Sequence, residues 1–238
     1  MSRNFELMQQ TGQDSETASM PRPRVVFSKT DEKVITNGNR YDLGQVAHEG
    51  TRRLVQGIFL QQTPKAPRSV LFTGIDQGNG CDQICLQVAD ALRSSVRESV
   101  CLVEANLRSP ALTGLLGTTN HYGLTDALLQ EGPIRSFAKP LLNDNFWLLS
   151  CGSLTSDSPK LLNSDRISAR FDELRKEFDY VLVDAPSVTR YSDAVALGRL
   201  TDGLVLVLEG NSTRKEAALK VIESLRAADI QVLGAVLN

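Results

Sequence analysis

The 238-residue chain has few aromatic residues, 5% of the total. So few rings leave little on which nucleobases could stack. An excess of charge of one sign is missing too: 26 Lys and Arg stand against 28 Asp and Glu, a net charge of −2. A nucleic-acid partner therefore has no electrostatic support, and none is expected. No apolar run approaches the roughly 20 residues of a membrane span. The first residues, with Asn4, Glu6 and Gln9, do not make the apolar core of a signal peptide. The two histidines, His48 and His121, are isolated, which points to surface or hydrogen-bonding roles rather than catalysis. The four cysteines (Cys81, Cys85, Cys101 and Cys151) lack zinc-type spacing, and in a reducing compartment they are expected as free thiols. What the chain does have is apolar substance. At 41% apolar residues there is core enough for one large domain, or for one domain with a tail.

Residues 1–42 are polar and interrupted by Pro21 and Pro23. They read as a mobile tail with at most a short extended piece at Val25–Phe27. The domain is expected over residues 43–238. A helix from about Leu43 to Leu60 would carry Val46, Leu54, Ile58 and Phe59 as its apolar stripe, stopped by the prolines before the first core strand, Val70–Thr73. Strands and helices then alternate. Strands are expected at Ser99–Val103, Phe146–Ser150, Tyr180–Val183, Leu204–Leu208 and Val232–Leu237. Helices are expected after the glycine-rich stretch to about Val96, at Pro110–Leu116, at Gly123–Gln130 with Thr125 as a cap, at Ser164–Glu177 with Ile167, Phe171 and Leu174 inward, at Asp193–Leu200, and at Thr213–Ala228. Continuous apolar strands separated by helices predict an α/β fold, a mostly parallel sheet with helices on both faces. The chain stops directly after a strand, where a doubly wound domain ordinarily continues into a helix; a fold that runs on past Asn238 is one expectation, and a natural end there is the other.

The stretch Ser69-Val-Leu-Phe-Thr-Gly-Ile-Asp-Gln-Gly-Asn-Gly-Cys-Asp-Gln83 organises the rest. An apolar strand leads through Gly74, Gly78 and Gly80 into a helix with Ile84, Val88, Ala91 and Leu92 on one face. Strand, glycine loop and helix form a phosphate cradle: backbone N–H groups face an anion and the helix dipole adds positive character. A Walker A loop would follow Gly80 with Lys and then Ser or Thr. Here Cys81 and Asp82 stand there. Ligands in open α/β sheets sit at the carboxyl ends of strands, and two further strand ends are polar: Glu104-Ala-Asn106-Leu-Arg108 and Asp184-Ala-Pro186. A carboxylate so placed in a nucleotide hydrolase orients magnesium, and a second positions the attacking group. Asp184 suits the magnesium role or caps a turn at Pro186. Glu104 serves nearby or is a solvated loop carboxylate. Asn106 hydrogen-bonds but takes no proton. Arg108 pairs with a neighbouring acid or binds phosphate.

These motifs, in this order, resemble the bacterial tyrosine kinases of capsule and exopolysaccharide synthesis, within the ParA/MinD-like deviant Walker A P-loop superfamily. The likeness covers roughly residues 43–238. The family's E-x-x-R-x-L-R helix is half kept as Glu49-Gly-Thr-Arg52-Arg-Leu54-Val55. Its loop P-G-E-G-K-S/T corresponds to Gln77-Gly78-Asn79-Gly80-Cys81-Asp82, and its D-A-D-L-R-x-P to Glu104-Ala-Asn106-Leu-Arg108-Ser-Pro110. G-L-(S/T)-x-x-L matches Gly123–Leu128, F-D-x-V-I-I-D-x-P-P matches Phe178–Ser187, x-D-A matches Ser192–Ala194, and the last strand ends V-L-N at Asn238. The resemblance implies a P-loop NTPase-like fold, ATP and Mg2+ as cofactors, and a membrane-embedded polysaccharide chain-length or export protein as partner. It also implies a cytoplasmic place at the inner membrane and a homo-oligomer. By it, Glu104, Asn106 and Asp184 hold the catalytic positions, and Asp82, Glu104 and Asp184 the metal positions. Gly78, Asn79, Gly80, Cys81, Asp82, Gln83, Arg108 and Asn238 hold the nucleotide-binding ones, Asn238 against adenine. The exchanged Lys, hydroxyl and acid predict weakened ATP binding and weakened or lost kinase activity in a regulator. No stretch of these residues matches the family's tyrosine-rich tail; the tyrosines are Tyr41, Tyr122, Tyr180 and Tyr191.

Three other readings stand beside that one. The first is an active ATP-dependent tyrosine autokinase with an unusual loop. The second is a dinucleotide-binding protein, since Gly78-x-Gly80 followed by Glu104 is a partial fingerprint, with Gln83 where Gly or Ala belongs. The third is a redox sensor, since Cys81 at a helix N-terminus, one turn from Cys85, is expected to have a lowered thiol pKa.

Overall fold

The computed structural model describes residues 24–27, 49–61, 63, 66–120, 122–142 and 145–238. The tail expected over residues 1–42, apart from 24–27, lies outside them, as do residues 43–48 of the expected first helix and both histidines. The elements in chain order are β1 (Arg24–Phe27), α1 (Glu49–Ile58), β2 (Ser69–Gly74), α2 (Cys81–Ser95), β3 (Val100–Glu104), α3 (Leu112–Leu115) and α4 (Leu124–Leu129). They continue with β4 (Lys139–Leu142), β5 (Phe146–Leu149), α5 (Arg166–Glu177), β6 (Tyr180–Ala185), α6 (Asp193–Gly198), β7 (Gly203–Leu208), α7 (Lys215–Ala227) and β8 (Val232–Leu237).

The strands form one sheet in the order β1-β8-β7-β2-β6-β3-β5-β4. Every pairing is parallel except β4 against β5. Side chains alternate across a strand, so each strand feeds two cores. Leu71, Val103, Val183 and Leu206 go to one side with Phe171 and Leu174 of α5 and Leu197 of α6. Phe72, Leu102, Leu182 and Val205 go to the other, with Leu54 and Ile58 of α1 and Ile84, Val88 and Leu92 of α2. The sheet is thus covered on both faces, which is why its strands read as continuous apolar runs. From the central β2 the chain crosses to β3 on one side of β6, and from β6 it crosses to β7 on the other side of β2. The carboxyl ends of β2, β6 and β3 meet where those directions diverge, the usual place for a ligand crevice.

Several expectations are corrected. The antiparallel edge strand β4 was not expected: Lys139-Pro140 reads as a loop, and Pro is tolerated there because it lies on an edge. Thr125 does not cap α4. It lies inside the helix and donates to the carbonyls of Cys151 and Ser153, while Asp126 accepts from the N–H of Gly123, the residue before the helix, at 3.0 Å. The inward face of α5 holds Ile167, Phe171 and Leu174 as expected, and also Arg170, which is 4% exposed. Arg170 donates to the carbonyls of Ala127, Gln130 and Gly132 at 2.7–2.8 Å. Its fork of donors satisfies the free carbonyls at the end of α4, so a charged side chain is stable there. Among the described residues no helix is long and apolar enough to cross a membrane.

Candidate nucleotide site

The glycine loop turns from β2 into α2 with Gly78 at φ 84° and Gly80 at φ 71°. Both lie in the left-handed region, where a Cβ is costly. The geometry that the glycines promise is present. Among the described residues, the N–H groups of Gly78, Asn79, Gly80, Cys81 and Asp82 donate to no acceptor. Consecutive free amides at the start of a 15-residue helix form an anion cradle.

Protein groups hold this loop in place from below and from both sides. Asn79 is buried and donates from Nδ2 to the Val207 carbonyl at the end of β7, 3.1 Å away. Its side chain lies so close over Gly74 that a Cβ there would come within 1.8 Å of it. Asn238, at the end of β8, donates to the Asn79 carbonyl at 2.9 Å. A Cβ on Gly80 would come within 2.4 Å of the Asn238 carboxamide, so Gly80 is required for its φ and for its size. Gln83 lies on the first turn of α2, half-buried. From the other side the segment after β6 is fastened to the loop. Val188 N–H donates to the Gly74 carbonyl at 3.0 Å, and the Ser187 and Thr189 hydroxyls donate to the Ile75 carbonyl at 2.6 and 2.5 Å. The Arg190 guanidinium bonds the Gln77 carboxamide. None of these three side chains was singled out in the sequence, although a polar run directly after Asp184-Ala-Pro186 was the available signal.

Asp184 pairs in register with Phe72 of β2 on one side and Glu104 of β3 on the other. Alternation sends it to the α2 side of the sheet, beneath the glycine loop. It is 1% exposed, and neither carboxyl oxygen has a hydrogen-bond donor. Burial pushes its pKa well above the usual carboxylate range, and the neighbouring Asp82 and Glu104 push the same way. The Cys81 thiol lies near enough to oppose that shift slightly, without reaching hydrogen-bond geometry. A buried carboxylate without donors suits a cation. Mg2+ is bound through one or two carboxylates together with phosphate oxygens, so Asp184 fits the magnesium role.

The other expected metal and catalytic residues are placed differently. Glu104 is buried rather than solvated, and both its oxygens are engaged, by Leu112 N–H at 2.6 Å and Cys151 N–H at 3.2 Å. It therefore ties the end of β3 to α3 and to the end of β5, and its role in a dinucleotide fingerprint loses its free carboxylate. Among the described residues no three His, Cys, Asp or Glu side chains are grouped to hold a metal. Asn106 accepts Ser109 N–H at 3.2 Å and so shapes the turn after β3. Arg108 is bound to the buried Asp193, Nε to Oδ2 at 2.6 Å and Nη2 to Oδ1 at 3.3 Å, and lies 4.0 Å over the Tyr191 ring. Of its two readings, pairing with an acid is the one seen.

Cys81 begins α2, only 8% exposed. The expected lowering of its thiol pKa is overturned: burial, then the Asp184 carboxylate, pushes it well above the usual value. The fully buried Cys85 is raised for the same first reason. Desolvation of a thiolate outweighs the helix N-terminus here. At neutral pH both remain thiols, without a sensor's reactivity.

No protein-family model matches the chain. Curated relatives do. A tyrosine-protein kinase YwqD of Bacillus subtilis is 27% identical over 190 residues, 80% of each chain. The tyrosine-protein kinase wzc of Salmonella typhi is 30% identical over 210 residues, 87% of this chain and 28% of wzc. The succinoglycan biosynthesis transport protein ExoP of Rhizobium meliloti is 27% identical over 151 residues, 62% of this chain and 19% of ExoP. The chain thus spans most of YwqD and less than a third of the two longer proteins. Among solved structures, the kinase domain of the Escherichia coli tyrosine kinase ETK superposes with a TM-score of 0.73 at 22% identity, over 83% of this chain and 77% of that one. The septum site-determining protein MinD of Pyrococcus horikoshii, complexed with Mg-ADP, superposes with a TM-score of 0.62 at 19% identity, over 72% and 70%. At these identities the two structures establish the fold alone, an α/β sheet with helices on both faces.

Proposed function

We propose that the chain, which is similar to bacterial tyrosine-protein kinases, is a member of that family and a kinase-like regulator of exopolysaccharide or capsule synthesis and export. It binds Mg-ATP weakly and transfers phosphate slowly or not at all. It works at the cytoplasmic side of the inner membrane through a membrane-embedded chain-length or export protein. The polysaccharide connection is supported by the likeness to ExoP, a succinoglycan biosynthesis transport protein. To the chain's domain we assign residues 43–238 together with the strand Arg24–Phe27, which pairs with β8 and so extends the sheet beyond the boundary expected from the sequence.

One observation supports the weakened chemistry above the others. The cradle retains its free amides and the orphaned Asp184, while the side chain at the phosphate-facing start of α2 is a buried neutral thiol, Cys81. The amides of Gly78–Asp82 hold phosphate oxygens, and Asp184 orients the cation. Bound Mg2+ would supply charge neutralisation between phosphate oxygens. Loss of a lysine removes an attraction of about 4 kcal/mol at ~4 Å and an effective dielectric of 20, and the Asp82 carboxylate adds repulsion. Phosphoryl transfer depends mainly on such electrostatic stabilisation, so it suffers more than binding does.

The second reading, an active ATP-dependent tyrosine autokinase, is favoured by the same orphaned carboxylate. Isothermal titration with Mg-ATP, paired with a radiolabel autophosphorylation assay, separates the two. The regulator reading expects millimolar to high-micromolar binding and no labelled tyrosine. Tight magnesium-dependent binding with labelled tyrosine establishes the autokinase instead, and no heat at millimolar Mg-ATP removes both.

A further inference from the structure

Among the described residues, the glycine loop and the first turn of α2 carry no cation of their own. The position that begins α2 is Cys81, and the next is Asp82. Asp76 adds another acid on the loop itself. Arg108 is already held by both oxygens of the buried Asp193 and by the Tyr191 ring. Yet five consecutive backbone amides are free, and beneath them a fully buried carboxylate has no donor. Both features fit a cation-bearing polyanion.

One uncommitted cation lies at the loop. Arg190 is exposed, and among the described residues it forms no ion pair with a carboxylate. Its partner is the neutral carboxamide of Gln77, on the loop itself. Its position there is built rather than incidental. The segment that bears it is fastened to the loop through the Ser187 and Thr189 hydroxyls and the Val188 N–H, all bonded to the carbonyls of Gly74 and Ile75. A guanidinium has five donors in a fixed fork, and Gln77 occupies only Nη1. A phosphate oxygen is a stronger acceptor than a carboxamide, because a charge-assisted bond is roughly twice as strong as a neutral one.

We propose that Arg190 is the phosphate-binding cation of this site, contributed from the loop after β6 in place of the lysine missing from the start of α2. The ligand class is a nucleoside triphosphate or diphosphate with its divalent cation. Gln77 parks the guanidinium at the mouth of the cradle while the site is empty, and the phosphate takes over the remaining fork. The inference rests on the nucleotide reading above.

The test is isothermal titration of Mg-ATP and Mg-ADP into the whole chain and three variants: Arg190→Ala, Arg190→Lys and, as a charge-matched control remote from the loop, Arg199→Ala. The expected result is at least a ~10-fold rise in Kd for Arg190→Ala, a smaller rise for Arg190→Lys, which retains the charge without the fork, and no change for Arg199→Ala. The loss for Arg190→Ala should be larger for Mg-ATP than for Mg-ADP and should shrink with added salt. Circular dichroism of each variant separates a binding loss from misfolding, and Arg190→Glu, an exposed change that retains bulk, must weaken binding further. Unchanged binding by Arg190→Ala, with wild-type binding intact, overturns the role of Arg190 and leaves the nucleotide reading standing. No binding by the wild type at millimolar Mg-ATP overturns both.

Discussion

Replacing Asp184 by Asn is expected to stabilise the ligand-free protein by an amount that grows with pH. Both carboxyl oxygens of Asp184 are buried without a donor, and burial, then Asp82 and Glu104, hold its pKa well above the usual range. In the unfolded chain an Asp ionises near pH ~3.9. Above that pH the unfolded chain has released a proton that the folded chain still binds. The native state then holds more protons than the unfolded one, so stability falls as pH rises. The contribution is intact below ~3.9. It declines by about 1.4 kcal/mol per pH unit for as long as the folded protein keeps the proton, and levels off above the folded pKa. Asn has nearly the same shape and no proton to lose. Its unpaired amide adds an offset, but that offset does not vary with pH. The advantage of the variant should therefore widen as pH rises from 5, a readily measured difference in a protein of ordinary stability. Urea denaturation at pH 5, 6 and 7 with EDTA, followed through the single tryptophan, Trp147, measures it. Because both proteins share every other titrating group, the difference isolates Asp184. A difference that stays flat across these pH values, or one that narrows as pH rises, refutes the assignment of a buried carboxyl that keeps its proton.

The double change Cys81→Lys with Asp82→Thr should tighten Mg-ATP binding at least ~10-fold, about 1.4 kcal/mol, because only part of the ~4 kcal/mol charge term survives the cost of desolvating the new lysine; unchanged affinity in calorimetry would mean that the loop side chains are not limiting. Arg170→Met leaves the carbonyls of Ala127, Gln130 and Gly132 without their donor and should cost about 2–4 kcal/mol in urea denaturation, whereas a loss within experimental error would place those carbonyls in water. All four cysteines are free and buried, and burial pushes Cys151 up to about 12. Ellman's reagent at pH 8 should therefore find no fast thiol in the native protein and four in urea, and one fast native thiol would restore the sensor reading. Gly123→Ala would bring a Cβ within 2.2 Å of the Ser150 carbonyl; backbone cannot yield as a side chain does, so a loss of about 1–3 kcal/mol or more is expected, read as a fall in Tm.

The three-layered fold was legible because its signals are contiguous. Val70–Phe72, Tyr180–Val183 and Leu204–Leu208 are apolar on both sides of the strand, as a sheet covered on both faces requires. The glycine loop announced its handedness through Gly78 and Gly80. The edge strand β4 was not legible, since Lys139-Pro140 has no strand pattern and is recruited only by β5 beside it. Arg170 was assigned no role because its partners lie 38–43 residues away in sequence.

The candidate site divides along the same line. The order of motifs carried the resemblance to the bacterial tyrosine kinases, the location of the glycine loop and the absence of a lysine from it, because each is a property of adjacent residues. Which charges remain available there was decided by the tertiary structure. Packing against β3 and β5 engages Glu104, Asp193 engages Arg108, and burial keeps Cys81 protonated against the pull of the helix N-terminus. The same packing leaves Asp184 without a donor and brings Arg190 to Gln77 across 113 residues of chain. Solvation and partnership set the state of an ionisable group, and both arise only when distant segments meet.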